Sequence, residues 1–374
     1  MQGILHVNKF AEIKGGAEVY IKSIAENFKK FSHYLIYLNK GDSDYLRLFN
    51  DSRQVTLLDL KTWDDLISRW NIKYIVFHDF TYPCEESVFL KRGARFICLI
   101  HDYRPFYLGT GYNRLTFKRE IRPLSKVFFP FTFTRETLRN WVLESKFEKL
   151  EKLDNLKKFD QIHVFAEDMK QTAIKNCLLE KIFFVNPCGI SNIALLPRDK
   201  IIGQIAFAGN LIRGKGLFLL LKALKGIKFH YHLKIAGDGY QRIQLEKYVL
   251  RNKINVTFLG KLTSHEVRAL YGESQFSVAP SILEPFGLTI IESMSQETPV
   301  IAFREGGPKE IIQDRFTGLL CEPHKVCDLR EKIIYLLSRP GICEEMGKKA
   351  RLVVLEKYTI DKHITRFSEI IEKK

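Results

Sequence analysis

Short apolar runs alternate with amphipathic stretches along this chain, and the alternation starts over near residue 200. Few folds accommodate such a pattern. Strands that alternate with segments of helical length imply a parallel sheet covered by helices on both faces. In the first half, strands are expected at 3–8, 34–38, 74–78, 95–101 and 162–165, an amphipathic helix at 18–31 and a charged helix at 135–158. In the second half, strands are expected at 201–208, 231–236, 255–259, 276–279 and 299–303, with helices at 216–224 and 288–295. The restart predicts an α/β protein of two doubly wound Rossmann-like domains facing each other across a cleft, about 1–190 and 191–357. The linker is expected in the polar, proline-containing stretch 186–200. The last helix, from Ile360 (358–374), is expected to pack back on the first domain.

Composition excludes several classes. The chain has 374 residues and 45% hydrophobic content, enough for two cored domains. Its most apolar runs, such as 217–221, are short and lie beside Lys, so no transmembrane helix is expected. The N-terminus reads as a strand and not as a signal peptide. The seven Cys are scattered and form no C-x-x-C pair, which argues against a disulfide framework or zinc site. Reduced cytoplasmic thiols are the expectation. The net charge of +16 implies attraction to polyanions. Between Arg114 and Arg139 stand seven Lys/Arg against two acids, interleaved with Phe117, Phe128, Phe129, Phe131 and Phe133, with Trp141 just after. The segment 114–141 is readable as a solvated helix and loop with an aromatic core side, or as a surface that touches an anionic membrane. No recognised nucleic-acid motif is present, which makes nucleic acid the weaker reading.

The run 280–292 carries the most chemistry. Glu284 precedes Pro285, Phe286 and Gly287, and an apolar helical stretch then carries Leu288, Thr289 and Glu292. Seven residues separate the two carboxylates. A buried helix seldom carries an unpartnered acid, and an open helix start favours phosphate. The two acids can therefore bracket a phosphorylated ligand from its two ends. Other turns follow expected strands. Gly15 and Gly16, after Lys14 and before Glu18, form either a tight turn or a backbone surface for an anion. His101 and Asp102 end a strand, where a histidine is either structural or aimed into a ligand crevice. Residues 208–216 include Asn210, Arg213 and Lys215 in a glycine-rich loop that either fits a diphosphate or is a solvated basic turn, and no Walker G-K-[ST] is present. The turn 236–239 closes a strand, Gly306 and Gly307 follow another, and Gly318 with Leu319 is expected to form a turn leading to Glu322.

In order and spacing, these motifs resemble the retaining GT-B glycosyltransferases of family 4. The resemblance spans almost the whole chain, except for 104–160, and Glu284-x7-Glu292 is its most specific part. It implies a sugar transfer from a UDP-, GDP- or ADP-sugar by the second domain to an acceptor held by the first. Glu284 would contact the donor sugar, Glu292 the ribose, and Arg213 with Lys215 the leaving diphosphate. The backbone of Phe286, Gly287, Leu288 and Thr289 would cap the phosphates, and Gly15 and Gly16 would approach them from the first domain. His101 would face the sugar, while Lys261 and Leu262 would border the base. Where the family often has Arg after the first loop glycine, this chain has Asn210, which leaves Arg213 to supply that charge. With Arg and Lys present, no metal or other cofactor is expected. The acceptor is expected to be a sugar, glycan or lipid-linked glycan, and the protein cytoplasmic, peripheral at the inner membrane face. The competing readings are a nucleic-acid-binding protein and a catalytically inactive scaffold of the same fold.

Overall fold

The computed structural model describes residues 1–13, 15–39, 41–55, 60–78, 88, 93–102, 156–175, 182–196, 199–282 and 284–373. The basic, aromatic segment 114–141, Lys14 and almost all of the helix expected at 135–158 lie outside them. The chain forms two compact units, Met1–Asn186 with Phe367–Lys374, and Pro187–Arg366.

In the first unit, the described strands are β1 (Gly3–Asn8), β2 (Ser32–Tyr37), β3 (Asp51–Gln54), β4 (Ile72–Phe77), β5 (Arg95–Leu99), β6 (Gln161–Val164) and β7 (Phe183–Val185). They pair parallel in the order β3-β2-β1-β4-β5-β6-β7. The helices are α1 (Gly16–Asn27), α2 (Ser43–Leu46), α3 (Leu60–Trp70) and α4 (Glu167–Ile174). All six residues of β1 are buried, as expected of a parallel strand covered on both faces. β3, of sequence DSRQ, is a polar strand at the sheet margin and carries no apolar run to mark it. Helix α1 stops at Asn27, short of the expected 31. Phe28 is its C-cap and packs edge-on against Phe31 and Phe367.

The second unit holds β8 (Ile201–Ala208), β9 (His232–Ala236), β10 (Val256–Gly260), β11 (Ser274–Ala279), β12 (Val300–Phe303) and β13 (Gly318–Cys321). These are parallel in the order β10-β9-β8-β11-β12-β13. Their helices are α5 (Leu217–Leu224), α6 (Arg242–Asn252), α7 (Ser264–Glu273), α8 (Leu288–Ser295), α9 (Pro308–Ile311), α10 (Val326–Leu337) and α11 (Pro340–Lys357). Helix α12 (Ile360–Glu372) begins in this unit, and its end belongs to the first, where Phe367 meets Phe28 and His163 and the Gln161 amide donates to the Ile370 carbonyl. The turn expected at Gly318 and Leu319 is instead strand β13, paired with β12. Glycine there permits closeness, because a Cβ on Gly318 would lie 2.5 Å from the Val300 carbonyl oxygen.

Both sheets follow the doubly wound order in which the winding reverses between two central strands, β1 and β4 in one unit and β8 and β11 in the other. Ligands of such sheets bind at the carboxyl ends of the strands beside that reversal. In the second unit, backbone-to-backbone contacts hold the loops at this edge. Gly216 adopts φ 68, and a Cβ there would lie 1.8 Å from the Pro280 carbonyl oxygen. A Cβ on Gly237 would lie 2.0 Å from the Gly209 carbonyl oxygen. The Ile282 amide donates to the Gly214 carbonyl at 2.8 Å. Yet a Cβ on Gly214 itself would meet nothing within 4 Å. Gly216→Ala is therefore expected to cost at least about 1–3 kcal/mol in chemical denaturation, and Gly214→Ala to stay within about 0.5 kcal/mol of the parent. Equal effects would show that the loop contact with Pro280 does not hold the edge.

Candidate functional site

In the second unit, β8 runs into 209–212, a 3-10 turn at Arg213–Lys215, and then α5. The turn lifts Arg213 to an exposed position, with its backbone amide donating to the Tyr240 hydroxyl at 3.1 Å. Lys215 points the other way. Its Nζ lies 2.7 Å from Oε2 of Glu284, a partner 69 residues on. The Glu284 side chain is 12% exposed and that of Lys215 31%. Two of the expected site residues thus meet as an ion pair at the rim of the sheet.

The backbone of Glu284 is fixed as firmly as its side chain. It forms a parallel bridge with Gly306, and its carbonyl accepts from the Gly307 amide at 2.9 Å. A Cβ on Gly307 would lie 2.0 Å from the Phe286 carbonyl oxygen, so the two loops lie directly on each other. The paired glycines thus seat the Glu284 loop. The Phe286 ring turns inward to meet Tyr358 at 5.9 Å. Gly287, at φ 116, opens α8, and its carbonyl takes the amides of Ile290 and Ile291. The amides of Leu288 and Thr289 therefore stand at the helix start, where a helix has no internal acceptor and anions are favoured.

Glu292 lies one turn further along α8. Burial pushes its carboxyl up to about 7, and the Arg268 guanidinium works in the opposite direction. Arg268, on α7, is 7% exposed. It donates to the Asn192 side chain at 2.6 Å and the Ala194 carbonyl at 3.3 Å, while its Nε is buried without a partner among the described residues. Arg268 was not singled out from the sequence, because an Arg on an amphipathic helix reads as solvated. Its signal was Glu292 itself, an acid on an otherwise buried helix that requires a counter-charge. Leu262 packs with Ala206, Ala236 and Tyr271 below the same edge. Lys261 and Asn210 are exposed.

In the first unit, Gly15 and Gly16 start α1, and Glu18 is buried. The Glu18 carboxylate accepts from the Gly15 amide at 2.9 Å and from the Asn8 side chain at 3.0 Å. The Gly15 amide is thus engaged within the chain. A Cβ on Gly16 would meet nothing within 4 Å. His101 follows β5 and packs on Tyr20 of α1, with ring centroids 5.6 Å apart. Its Nε2 lies 3.1 Å from Nδ1 of His78. Among the described residues, no group of three or more His, Cys, Asp and Glu could hold a metal ion, and no helix is long and apolar enough to cross a membrane.

Two measurements follow from this geometry. Lys215→Ala leaves the shielded Glu284 carboxylate without its cation, at a cost of about 1–3 kcal/mol. Adding Glu284→Gln is expected to recover part of that loss in a denaturant double-mutant cycle, whereas strictly additive effects would show that the pair does not couple. Glu292 has the opposite linkage to a salt-bridged acid. Its folded-state value of about 7 lies above its ordinary 4.5, so its contribution to stability is complete below 4.5 and is lost as pH rises through 7. Between those values the parent is expected to lose stability relative to Glu292→Gln, and parallel curves would contradict the shift.

Residues 196–353, within the second unit, match the family model described as glycosyl transferases group 1. An uncharacterized glycosyltransferase of Methanocaldococcus jannaschii is 34% identical over 146 residues, 39% of this chain and 41% of that protein. The poly(ribitol-phosphate) alpha-N-acetylglucosaminyltransferase of Staphylococcus aureus is 28% identical over 230 residues, 58% of this chain and 45% of that one. The matched stretches thus span less than half the length of these curated relatives. Among solved structures, Anabaena HepE in complex with UDP and glucose superposes with a TM-score of 0.75 at 15% identity, over 100% of both chains. Sucrose-phosphate synthase from Thermosynechococcus elongatus gives 0.72 at 17%, over 99% of this chain and 98% of that one. The chain therefore has the GT-B fold, and its residues 196–353 match the glycosyl transferases group 1 model.

Proposed function

We propose that this protein is a glycosyltransferase that moves a sugar from a nucleoside diphosphate sugar to an acceptor. The observation that carries this reading is the Lys215–Glu284 pair beside the start of α8, within the region that matches the group 1 model. Lys215 and Arg213 offer positive charge, and the amides of Leu288 and Thr289 offer donors, where a diphosphate would depart. Glu284 accepts hydroxyls of the donor sugar. Glu292 accepts hydroxyls of the ribose, with Leu262 and Lys261 beside the base. Family resemblance adds Gly15, Gly16 and His101 as donor contacts.

Breaking the bond from the anomeric carbon to the diphosphate places cationic character on the sugar and a growing charge on the leaving group. One preorganised contact to such charge is typically worth about 3–4 kcal/mol. With that charge met by Lys215 and Arg213, the reaction needs no metal. We assign retention of configuration, with the acceptor attacking the face from which the diphosphate leaves and a diphosphate oxygen taking the acceptor proton. Family resemblance supports this choice. The acceptor in this proposal is a lipid-linked or membrane-presented glycan, a choice that rests on the basic, aromatic composition of 114–141.

A thermal-shift screen of UDP-, GDP- and ADP-sugars on the full chain is expected to single out one donor by its rise in melting temperature. With that donor, Lys215→Ala is expected to lower transfer about 100- to 1000-fold. Full activity in Lys215→Ala would remove it from the diphosphate site. Gly16→Ala is expected to melt like the parent and to bind the donor more weakly. Unchanged binding would show that no ligand approaches that backbone.

A further inference from the structure

Three histidines that the proposed reaction does not use form, with His101, a continuous hydrogen-bonded chain across the first sheet. His33 Nδ1 lies 2.9 Å from His6 Nε2, His6 Nδ1 lies 3.0 Å from His78 Nε2, and His78 Nδ1 lies 3.1 Å from His101 Nε2. The far end is His33 Nε2, 2.8 Å from the Phe28 carbonyl oxygen. Sheet register produces this alignment. Ile4 stands opposite His33, His6 stands opposite Val76, and the register that pairs Phe77 with Cys98 continues to set His78 beside Leu99. Each histidine lies two positions beyond its neighbour's partner, so all four share one face and climb towards the carboxyl edge. His6, His33 and His78 are at most 5% exposed.

The Phe28 carbonyl can only accept, so His33 carries its hydrogen on Nε2. Burial holds His33, His6 and His78 below the usual histidine range, which leaves each ring one hydrogen. His33 Nδ1 is then an acceptor, which puts the His6 hydrogen on Nε2. The same step repeats at His78 and then at His101. Among the described residues, the rings packed on the chain, Tyr20, Phe28, Phe49 and Phe165, are uncharged, and Lys29 near His33 favours its neutral form further.

We propose that this chain locks His101 in the tautomer that carries its hydrogen on Nε2, so that His101 presents an acceptor nitrogen, Nδ1, to whatever it meets beyond the chain. His6, His33 and His78 are positioning residues acting through His101. The functional consequence rests on the glycosyltransferase reading: a sugar hydroxyl that meets neutral His101 Nδ1 must donate to it.

The lock is tested without substrate by two-bond 15N–1H correlation on the full chain labelled in its histidine rings, with assignment by single variants. The expected result is hydrogen on Nε2 and a pyridine-type Nδ1 at all four positions. A hydrogen on Nδ1 of neutral His6, His78 or His101 would overturn the lock. His33→Phe removes the anchor and is expected to give His101 a mixed tautomer population. His33→Gln, which can donate to Phe28 and accept from His6, is expected to restore the single form. An unchanged His101 in folded His33→Phe would also overturn it. Fluoro and deoxy donor analogues separate this from the reading of the site. At the hydroxyl held by His101, both are expected to weaken binding equally, because fluorine cannot donate. A fluoro analogue that kept full affinity, alongside the expected spectrum, would remove His101 from the sugar and leave the lock standing.

Discussion

The second unit depends on loop backbones that lie against one another at the carboxyl edge of its sheet. The loop at Gly216 rests on Pro280, and the loop at Gly307 rests on Phe286. Both contacts converge on the stretch that holds Glu284. Together they bring Lys215 and Glu284 within 2.7 Å, although 69 residues separate them. A side-chain ion pair at a loop rim would ordinarily be mobile and weak. Here both partners start from backbone that cannot move far, which is the condition for an electrostatic site that costs little reorganisation when its ligand charge changes.

The first unit solves a different problem with the same sheet geometry. At its first helix start, the buried Glu18 carboxylate takes the Gly15 amide and the Asn8 side chain. Its polar centre is the histidine chain, in which each buried ring nitrogen meets another ring nitrogen or the Phe28 carbonyl. Buried polar groups are costly unless paired, and a chain with one carbonyl anchor pairs them in a single direction.

Much of this fold was legible in the sequence because parallel strands covered on both faces are continuous apolar runs. Strand β8 and helix α8 appear at the bounds expected for them, and both sheets alternate as the pattern implied. Polar edge strand β3 has no such run, and β13 begins with a glycine that reads as a turn. Within the site, Glu284, Glu292 and Lys215 stood out because charge beside glycine or on an apolar helix is locally conspicuous. Arg268, His6, His33 and His78 did not. Each lies on a separate element, and only register or helix docking gives it a partner. The glycines were legible as turns, but their roles were not: Gly307 seats the Glu284 loop, whereas Gly16 and Gly214 leave open space.

The central claim is that the loops at the carboxyl edge of the second sheet hold a nucleoside diphosphate. Hydrogen–deuterium exchange on the full chain, with and without UDP, GDP or ADP, tests it most directly. The account predicts that one of the three slows exchange at 209–216 and at the start of α8 around Leu288 and Thr289. Binding that protects other segments and leaves these amides unchanged would contradict it.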